Sequence, residues 1–389
     1  MKILIVRNFP SYVNIKFKTY NIQEVGLAKA LVRKGHECDL ICWTNKEEAD
    51  EEIIVDQTKV INIFYRKGIT FLKMTIYTHL DDLAKKYDIV QLWEYNQIQA
   101  NFYSRKYPDK SIIYHGSYFS PFNKRYNLMC KVFDMLFLKR YIKNNVKFIT
   151  KSLLAKNFLT DKGIPTVNVC VAGVGIDLEM IESNNICDVP LYEKMCEQGD
   201  NLKILYVGKF EARRNLFFII DVFKNIHMQI PSARLYLVGK GAQEYMDSVF
   251  EYAKEQNIFE YIVWQNVIEQ ELLSPIYRKA DFFLLPTEYD IFGMVLLEAM
   301  YYQTVVLTTN NGGSVTLIEN GKSGLVFEEK NAKVWAQNVI DIYADKSYME
   351  QIKMNAYNKI NEEFTWDMLA NKFIEQYENL IANKKTEKF

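Results

Sequence analysis

No stretch of the 389 residues approaches the ~18 uninterrupted apolar residues that a membrane span requires, and the opening MKILIVRNF is too short an apolar run for a secretory leader. A cytoplasmic protein is therefore expected. Cysteine is scarce: six residues, at 38, 42, 130, 170, 187 and 196, form no CxxC pair and no cluster with the four histidines. This spacing argues against a disulfide framework and a structural zinc site, and predicts reduced, mostly packed thiols. Low-complexity tracts and internal repeats of about 20 to 50 residues are missing as well, which excludes fibres and solenoids. Net charge is zero, with 48 Lys and Arg against 48 Asp and Glu, and no compact basic tract or binding motif implies nucleic acid.

What is present is an ordinary globular mixture, 49% apolar and 25% charged, able to bury a sizeable core. At roughly 150 residues per domain the length suggests two domains. Charge divides between them: residues 1–180 carry 27 Lys and Arg against 18 Asp and Glu, and residues 181–389 carry the compensating excess of acids. Two domains with different partners would give such a division, as would unevenly solvated surfaces.

Periodicity gives a strand at 2–6, a helix at 24–34 and a strand at 38–43, followed by short apolar strands at 89–93, 111–114 and 147–150. The pattern lapses over the polar residues 181–202, which predicts a linker between domains at 1–180 and 203–365. A second series alternates strands at 204–207, 235–238, 262–264, 282–285 and 305–308 with helices at 216–229, 243–256, 272–280 and 294–302. Both series predict α/β architecture with a parallel sheet covered by helices, and ligands belong beyond the carboxyl ends of the strands. Residues 366–389 carry an amphipathic helix with Leu369, Phe373, Ile374, Tyr377 and Leu380 on its apolar side.

The most informative stretch is PTEYDIFGMVLLEAM, residues 286–300, where a strand, a tight turn at Phe292 and Gly293 and a helix start follow one another. Unpaired amides at the positive end of a helix dipole form an anion site suited to phosphate. Asp290 precedes the turn and Glu298 follows eight residues later, so the two carboxylates are expected to bracket the anion and accept hydroxyl hydrogen bonds on either side. A plain helix with an N-terminal acid and a mid-helix ion pair reads the same way. In VGKFEARRN, residues 207–215, Gly208 ends a strand and Lys209 and Arg214 flank a loop, two cations suited to a diphosphate or simply solvated. Gly312 and Gly313 would permit close backbone approach to a ligand.

Together these residues resemble the retaining glycosyltransferases of the GT-B fold, family 4, also described as glycosyl transferases group 1. The resemblance covers most of the chain and implies two Rossmann-like doubly wound domains facing a central cleft, with the C-terminal helix packing back on the N-terminal domain. It implies that Gly208, Lys209 and Arg214 hold the donor diphosphate, that Asp290 contacts the donor sugar and Glu298 the ribose, and that amides of Phe292, Gly293, Met294 and Val295 hold the phosphates. His115, at a strand end in YHGSYF, matches the family's active-site histidine facing the donor sugar; taken alone it reads as a packed ring. Three departures stand out. Asp290 is one methylene shorter than the family's Glu, with Glu288 nearby to compensate; Gln303, Thr304 and Val305 replace a Gly-x-Pro; and residues 8–21, with Lys16 and Lys18, replace an amino-terminal Gly-Gly loop that faces the acceptor.

The resemblance implies metal-independent transfer of a hexosyl unit, with retention, from a UDP- or GDP-sugar to a hydroxyl of a glycan or lipid-linked acceptor, with no separate cofactor. The rival readings are a GT-B epimerase or phosphorylase, and a silent GT-B subunit that binds a partner transferase or glycan. Over residues 122–147, seven cations (Lys124, Arg125, Lys131, Lys139, Arg140, Lys143 and Lys147) and one acid, Asp134, are interleaved with Tyr126, Phe133, Leu136, Phe137 and Tyr141. Such a segment suits peripheral contact with an anionic membrane, at the inner face of which a surface polysaccharide would be built; a core helix with a solvated basic face has the same composition.

Overall fold

The computed structural model describes residues 1–14, 22–181 and 188–386. Lys16, Lys18, Cys187 and part of the expected linker lie outside the described residues. Contacts divide the chain into two units, the first built from residues 1–14, 22–175 and 364–386 and the second from 176–181 and 188–363.

The first unit contains the strands β1 (Lys2–Val6), β2 (Glu37–Trp43), β3 (Ala49–Val55), β4 (Lys59–Arg66), β7 (Ile89–Trp93), β8 (Ser111–His115), β9 (Lys147–Thr150) and β10 (Val169–Val171), with the two-stranded hairpin β5 (Ile69–Phe71) and β6 (Met74–Ile76) outside the main sheet. The main sheet runs β10-β9-β8-β7-β1-β2-β4-β3 and is parallel except for β3, which pairs antiparallel with β4 at the edge. Sequence periodicity passed over this edge pair because β3, ADEEIIV, is polar and half solvated. By contrast β7 (IVQLW) and β8 (SIIYH) are buried along their whole length, as strands covered by helices on both faces must be.

The helix Trp366–Thr386 closes the first unit. Its Trp366 indole occupies a slot that exists because residues 26 and 175 are glycines: a Cβ on either would collide with the ring. Further along, Phe373 packs edge-on against Tyr114 at 5.3 Å, and the Tyr377 hydroxyl donates to Gln91 Oε1 at 2.6 Å in the sheet interior.

The second unit is a six-stranded parallel sheet of β11 (Lys203–Val207), β12 (Arg234–Val238), β13 (Ile262–Gln265), β14 (Phe282–Leu285), β15 (Val305–Thr309) and β16 (Leu325–Phe327), in the order β13-β12-β11-β14-β15-β16. Chain order reverses between β11 and β14, and doubly wound sheets bind ligands beyond the strand ends at such a reversal. Within the polar stretch read as a connection, Pro190–Glu197 forms a helix that opens on proline, whose missing N–H costs nothing in a first turn. The thiols of Cys38, Cys42, Cys130, Cys170 and Cys196 are free, and burial pushes those of Cys42 and Cys130 up to about 12.

Candidate active site

Three loops leave neighbouring strand ends at the reversal point, after β11, β14 and β15, and glycines let them touch. A Cβ at Gly312 would collide with the carbonyl of Ile291, and one at Gly313 with that of Phe292. The close approach expected of this glycine pair is therefore made to the backbone of the 286–300 segment itself, where the Gly312 amide donates to Asp290 O at 3.1 Å. Gly239 and Gly241 seat the loop after β11 in the same way, against the carbonyls of Gly208 and Phe210. The Gly208 amide donates to the Val238 carbonyl at the end of β12 and the Phe210 amide to the Lys240 carbonyl in the loop after it, both at 2.9 Å.

Arg214 and Asp290, 76 residues apart in sequence, meet in space. Arg214 Nη1 lies 2.6 Å from Asp290 Oδ2, and both side chains are mostly buried. The other carboxylate oxygen, Oδ1, accepts from the Gly293 amide at 2.9 Å and the Phe292 amide at 3.3 Å. Asp290 thus caps the turn that opens the helix Met294–Tyr301, where Gly293 takes a left-handed φ of 72° that suits glycine. Of the four amides expected to hold phosphate, two are already engaged by Asp290. Those of Met294 and Val295 have no acceptor among the described residues and remain open to a ligand.

Lys209 is exposed, its ammonium pairs with no carboxylate among the described residues, and its carbonyl is held by the Tyr206 hydroxyl at 2.7 Å. Glu298 is buried in the helix, with Gln270 Nε2 donating to Oε1 at 2.7 Å and the Tyr277 hydroxyl to Oε2 at 3.2 Å. Burial outweighs those two bonds and raises its carboxyl to about 7. Asp290 and Glu298 consequently face different partners. Glu288, placed by sequence as a substitute for the shorter Asp290, is committed elsewhere: its carboxylate accepts from Asn215 Nδ2 at 3.1 Å and pairs with Lys330.

Several positioning residues escaped the sequence reading. Arg213 donates to the Tyr289 carbonyl and pairs with Glu211 at 2.6 Å, while Asn215, at a left-handed φ of 54°, bonds the Pro286 carbonyl at 2.7 Å. Together they stitch the loop after β11 to the loop after β14. The run ARRN carried that signal, but a sequence does not say which of two adjacent arginines turns toward the acid.

His115 belongs to the first unit, at the end of β8, and is fully buried. Its Nδ1 lies 2.8 Å from Glu94 Oε2, and its Nε2 has no partner among the described residues. The ring is therefore half satisfied. Glu94, at the end of β7, sits at a left-handed φ of 60°, a conformation that costs a non-glycine residue of order 1 kcal/mol and is found where surroundings enforce it. Nearby Lys151 is buried with its Nζ 3.9 Å from the centre of the Trp93 ring, and burial lowers its pKa. Among the described residues no group of three or more His, Cys, Asp or Glu side chains is placed to hold a metal ion.

Family models match both halves of the chain: residues 25–180 match that described as Glycosyltransferase Family 4, and residues 193–359 that described as Glycosyl transferases group 1. The chain is a group 1 glycosyltransferase. An uncharacterised glycosyltransferase of Methanocaldococcus jannaschii is 24% identical over 90% of this chain and 92% of its own length. The capsular polysaccharide biosynthesis glycosyltransferase CapM of Staphylococcus aureus is also 24% identical, over 65% of this chain and 63% of its own. Among solved structures, the sucrose-phosphate synthase of Thermosynechococcus elongatus superposes with a TM-score of 0.71 at 17% identity, covering 98% of this chain and 99% of that one. The Anabaena protein HepE in complex with UDP-glucose gives 0.68 at 14%, covering 97% and 100%. These likenesses show that this group 1 glycosyltransferase has the GT-B fold.

Proposed function

We propose that this glycosyltransferase moves a hexosyl unit from a UDP- or GDP-sugar to a hydroxyl of a glycan or lipid-linked acceptor, with retention and without a metal ion. The carrying observation is the convergence of Arg214, Asp290 and the open amides of Met294 and Val295 on one helix start at the sheet's reversal point, with Glu298 buried further along the same helix. Lys209 and Arg214, with those amides, stabilise the diphosphate as the anomeric C–O bond breaks and its electron pair stays on the leaving oxygen. The acceptor oxygen then bonds the anomeric carbon on the same face and loses its proton to the departing phosphate. Asp290 orients the sugar and Glu298 the ribose, and His115 takes the role of the family's active-site histidine. HepE, solved with UDP-glucose, supports a UDP-hexose first in any panel of donors.

A surface feature supports a lipid-linked acceptor, and CapM, named for capsular polysaccharide, supports the same product class. Residues 124–143 form one helical run in which Leu128, Val132, Met135 and Leu136 are 49–77% exposed, at the i, i+4, i+7, i+8 spacing of a single stripe. Lys124, Arg125, Lys131, Lys139, Arg140 and Lys143 surround it, all exposed. An anionic bilayer complements both features: the stripe loses water, and each cation adds about 1 kcal/mol.

The test is incubation with a panel of nucleotide sugars, reading nucleotide release and the anomeric configuration of the product, with and without EDTA. Release from a UDP- or GDP-hexose that survives EDTA, with a retained product, is expected. Inversion, or activity lost to EDTA and restored by Mn²⁺, would overturn the mechanism.

A further inference from the structure

The helix with the exposed stripe also grips the peptide beside His115. Midway, over Asp134–Leu138, it widens into a π turn, a rarity that concentrates at functional positions. Asp134, the one acid of the segment, points inward from that turn and accepts from the Tyr95 hydroxyl on one oxygen while pairing with Lys162 on the other. One turn later, the Tyr141 hydroxyl donates to the Tyr95 carbonyl at 2.9 Å. Tyr95 is thus held at both ends, by side chain and by backbone, and is fully buried between Phe133 and Tyr141 with ring centres 5.3 and 5.4 Å away.

Tyr95 is in turn the immediate neighbour of the histidine assembly. Its amide lies 3.3 Å from His115 Nδ1, the nitrogen that Glu94 engages, and its ring centre lies 5.9 Å from the imidazole. Glu94, held at positive φ, is the adjoining residue, so a shift of the Tyr95 peptide must move the carboxylate that orients the imidazole. A second path runs through rings: Phe158 lies 5.2 Å from His115 and 6.3 Å from Tyr126, on the same surface helix.

We infer that this helix is a transmitter, in which seating its outer face on an anionic bilayer resets the orientation of His115 through Asp134, Tyr141 and Tyr95. The inference rests on the reading that the helix docks on lipid and that His115 serves the site. A π turn holds one more residue than an α turn, so relaxing it rotates every residue after it relative to Leu128 and Val132. A bilayer that must seat Leu128, Val132, Met135 and Leu136 together therefore binds the two registers unequally. Differential affinity of that kind is what a ligand needs to shift a conformational equilibrium. Asp134 sits inside the turn and would carry the change inward.

The experiment reads the imidazole directly. With four histidines in the chain, the ring signals of His115 can be followed by NMR in the full-length protein, assigned by their loss in His115→Gln. The protein is mixed with nanodiscs of phosphatidylcholine, with or without phosphatidylglycerol, and binding is measured by co-flotation on the same samples. A shift of the His115 signals with the anionic discs only, lost in Tyr95→Phe and Asp134→Asn while both variants still float, is the expected result. Tyr95→Phe keeps the ring and decides alone should Asp134→Asn fail to fold. Binding with no movement of the His115 signals, or a shift that survives the variants, overturns the coupling and leaves docking standing. No binding to anionic discs overturns docking, and the coupling with it.

Discussion

Arg214 Nη1 lies 2.6 Å from Asp290 Oδ2, so the cation expected at the donor diphosphate is held in place by the acid that also caps the helix start. One mostly buried ion pair joins the loops after β11 and β14, and its second carboxylate oxygen fixes the turn at Gly293. Removing one partner strands a charge with little water around it. Asp290→Ala should destabilise the fold by ~3 kcal/mol, and Asp290→Asn, which can still accept from the Gly293 amide, by less. A double-mutant cycle with Arg214→Ala, read by urea denaturation, should give a coupling above ~1 kcal/mol. Additivity of the two losses would show that the contact does not hold the loops.

Lys209 offers the contrast. It is exposed and unpaired among the described residues, so Lys209→Ala should leave the denaturation midpoint within the error of wild type. Its turnover should nonetheless fall at least ~100-fold, the scale set by losing one charged contact to a developing oxyanion. Arg214→Ala should lose both turnover and stability. Wild-type turnover in Lys209→Ala would place the diphosphate elsewhere.

Glu298 carries a pH signature. Its carboxyl, raised to about 7 by burial, holds a proton that an unfolded glutamate gives up near 4.5. Between those values the folded chain binds more protons than the unfolded one, so this group's contribution favours folding at low pH and is lost as pH rises through 7. The full span is worth ~3 kcal/mol. Thermal melting from pH 5 to pH 8 should therefore decline less in Glu298→Gln than in wild type, while the variant binds nucleotide more weakly. Parallel pH profiles would mean that Glu298 titrates normally.

Much of this was legible in the sequence because it was written in local pattern. Strands such as KILYV and FFLL are apolar on both faces, and the glycine turn before Met294 announces a helix start; neither needs knowledge of distant residues. What stayed hidden depends on partners far along the chain. That Asp290 spends two bonds on its own turn and one on Arg214 follows from how two loops meet. Gly312 and Gly313 were read for a ligand because a sequence cannot tell a ligand's approach from that of the Ile291 and Phe292 carbonyls. Glu94 gave no signal at all: an acid after a buried strand is common, and its pairing with His115 lies 21 residues away.

The slot for Trp366 makes a prediction about fold. Gly26 and Gly175 lie on either side of the indole, where an added methyl would overlap it. Gly26→Ala should destabilise the protein by ~1 to 3 kcal/mol, and Trp366→Ala, by emptying the slot, by ~3 to 5 kcal/mol. In the Trp366→Ala background the cost of Gly26→Ala should nearly vanish, because the methyl then fills space. Chemical denaturation of the two single variants and the double variant measures this. Strict additivity would mean that the glycine matters for a reason other than the indole.

Glu94 titrates in the sense opposite to Glu298. Burial alone would push its carboxyl up, but the charge of His115 and the 2.8 Å hydrogen bond to it, with help from Lys151, hold it below the ordinary glutamate range. A depressed carboxyl stabilises the fold above the unfolded value near 4.5, and that contribution is lost as pH falls through the folded value. Glu94→Gln keeps an acceptor for His115 Nδ1 but has no charge to lose. The variant should be less stable than wild type at pH 7, and the gap should narrow as pH falls from 4.5, where the unfolded chain protonates, toward the lower value at which folded Glu94 takes up its proton. Urea midpoints across that range measure the gap. A difference that stays constant with pH would show that the pair contributes through shape rather than charge, and that the unpartnered Nε2 of His115 is not set by the ionised form of Glu94.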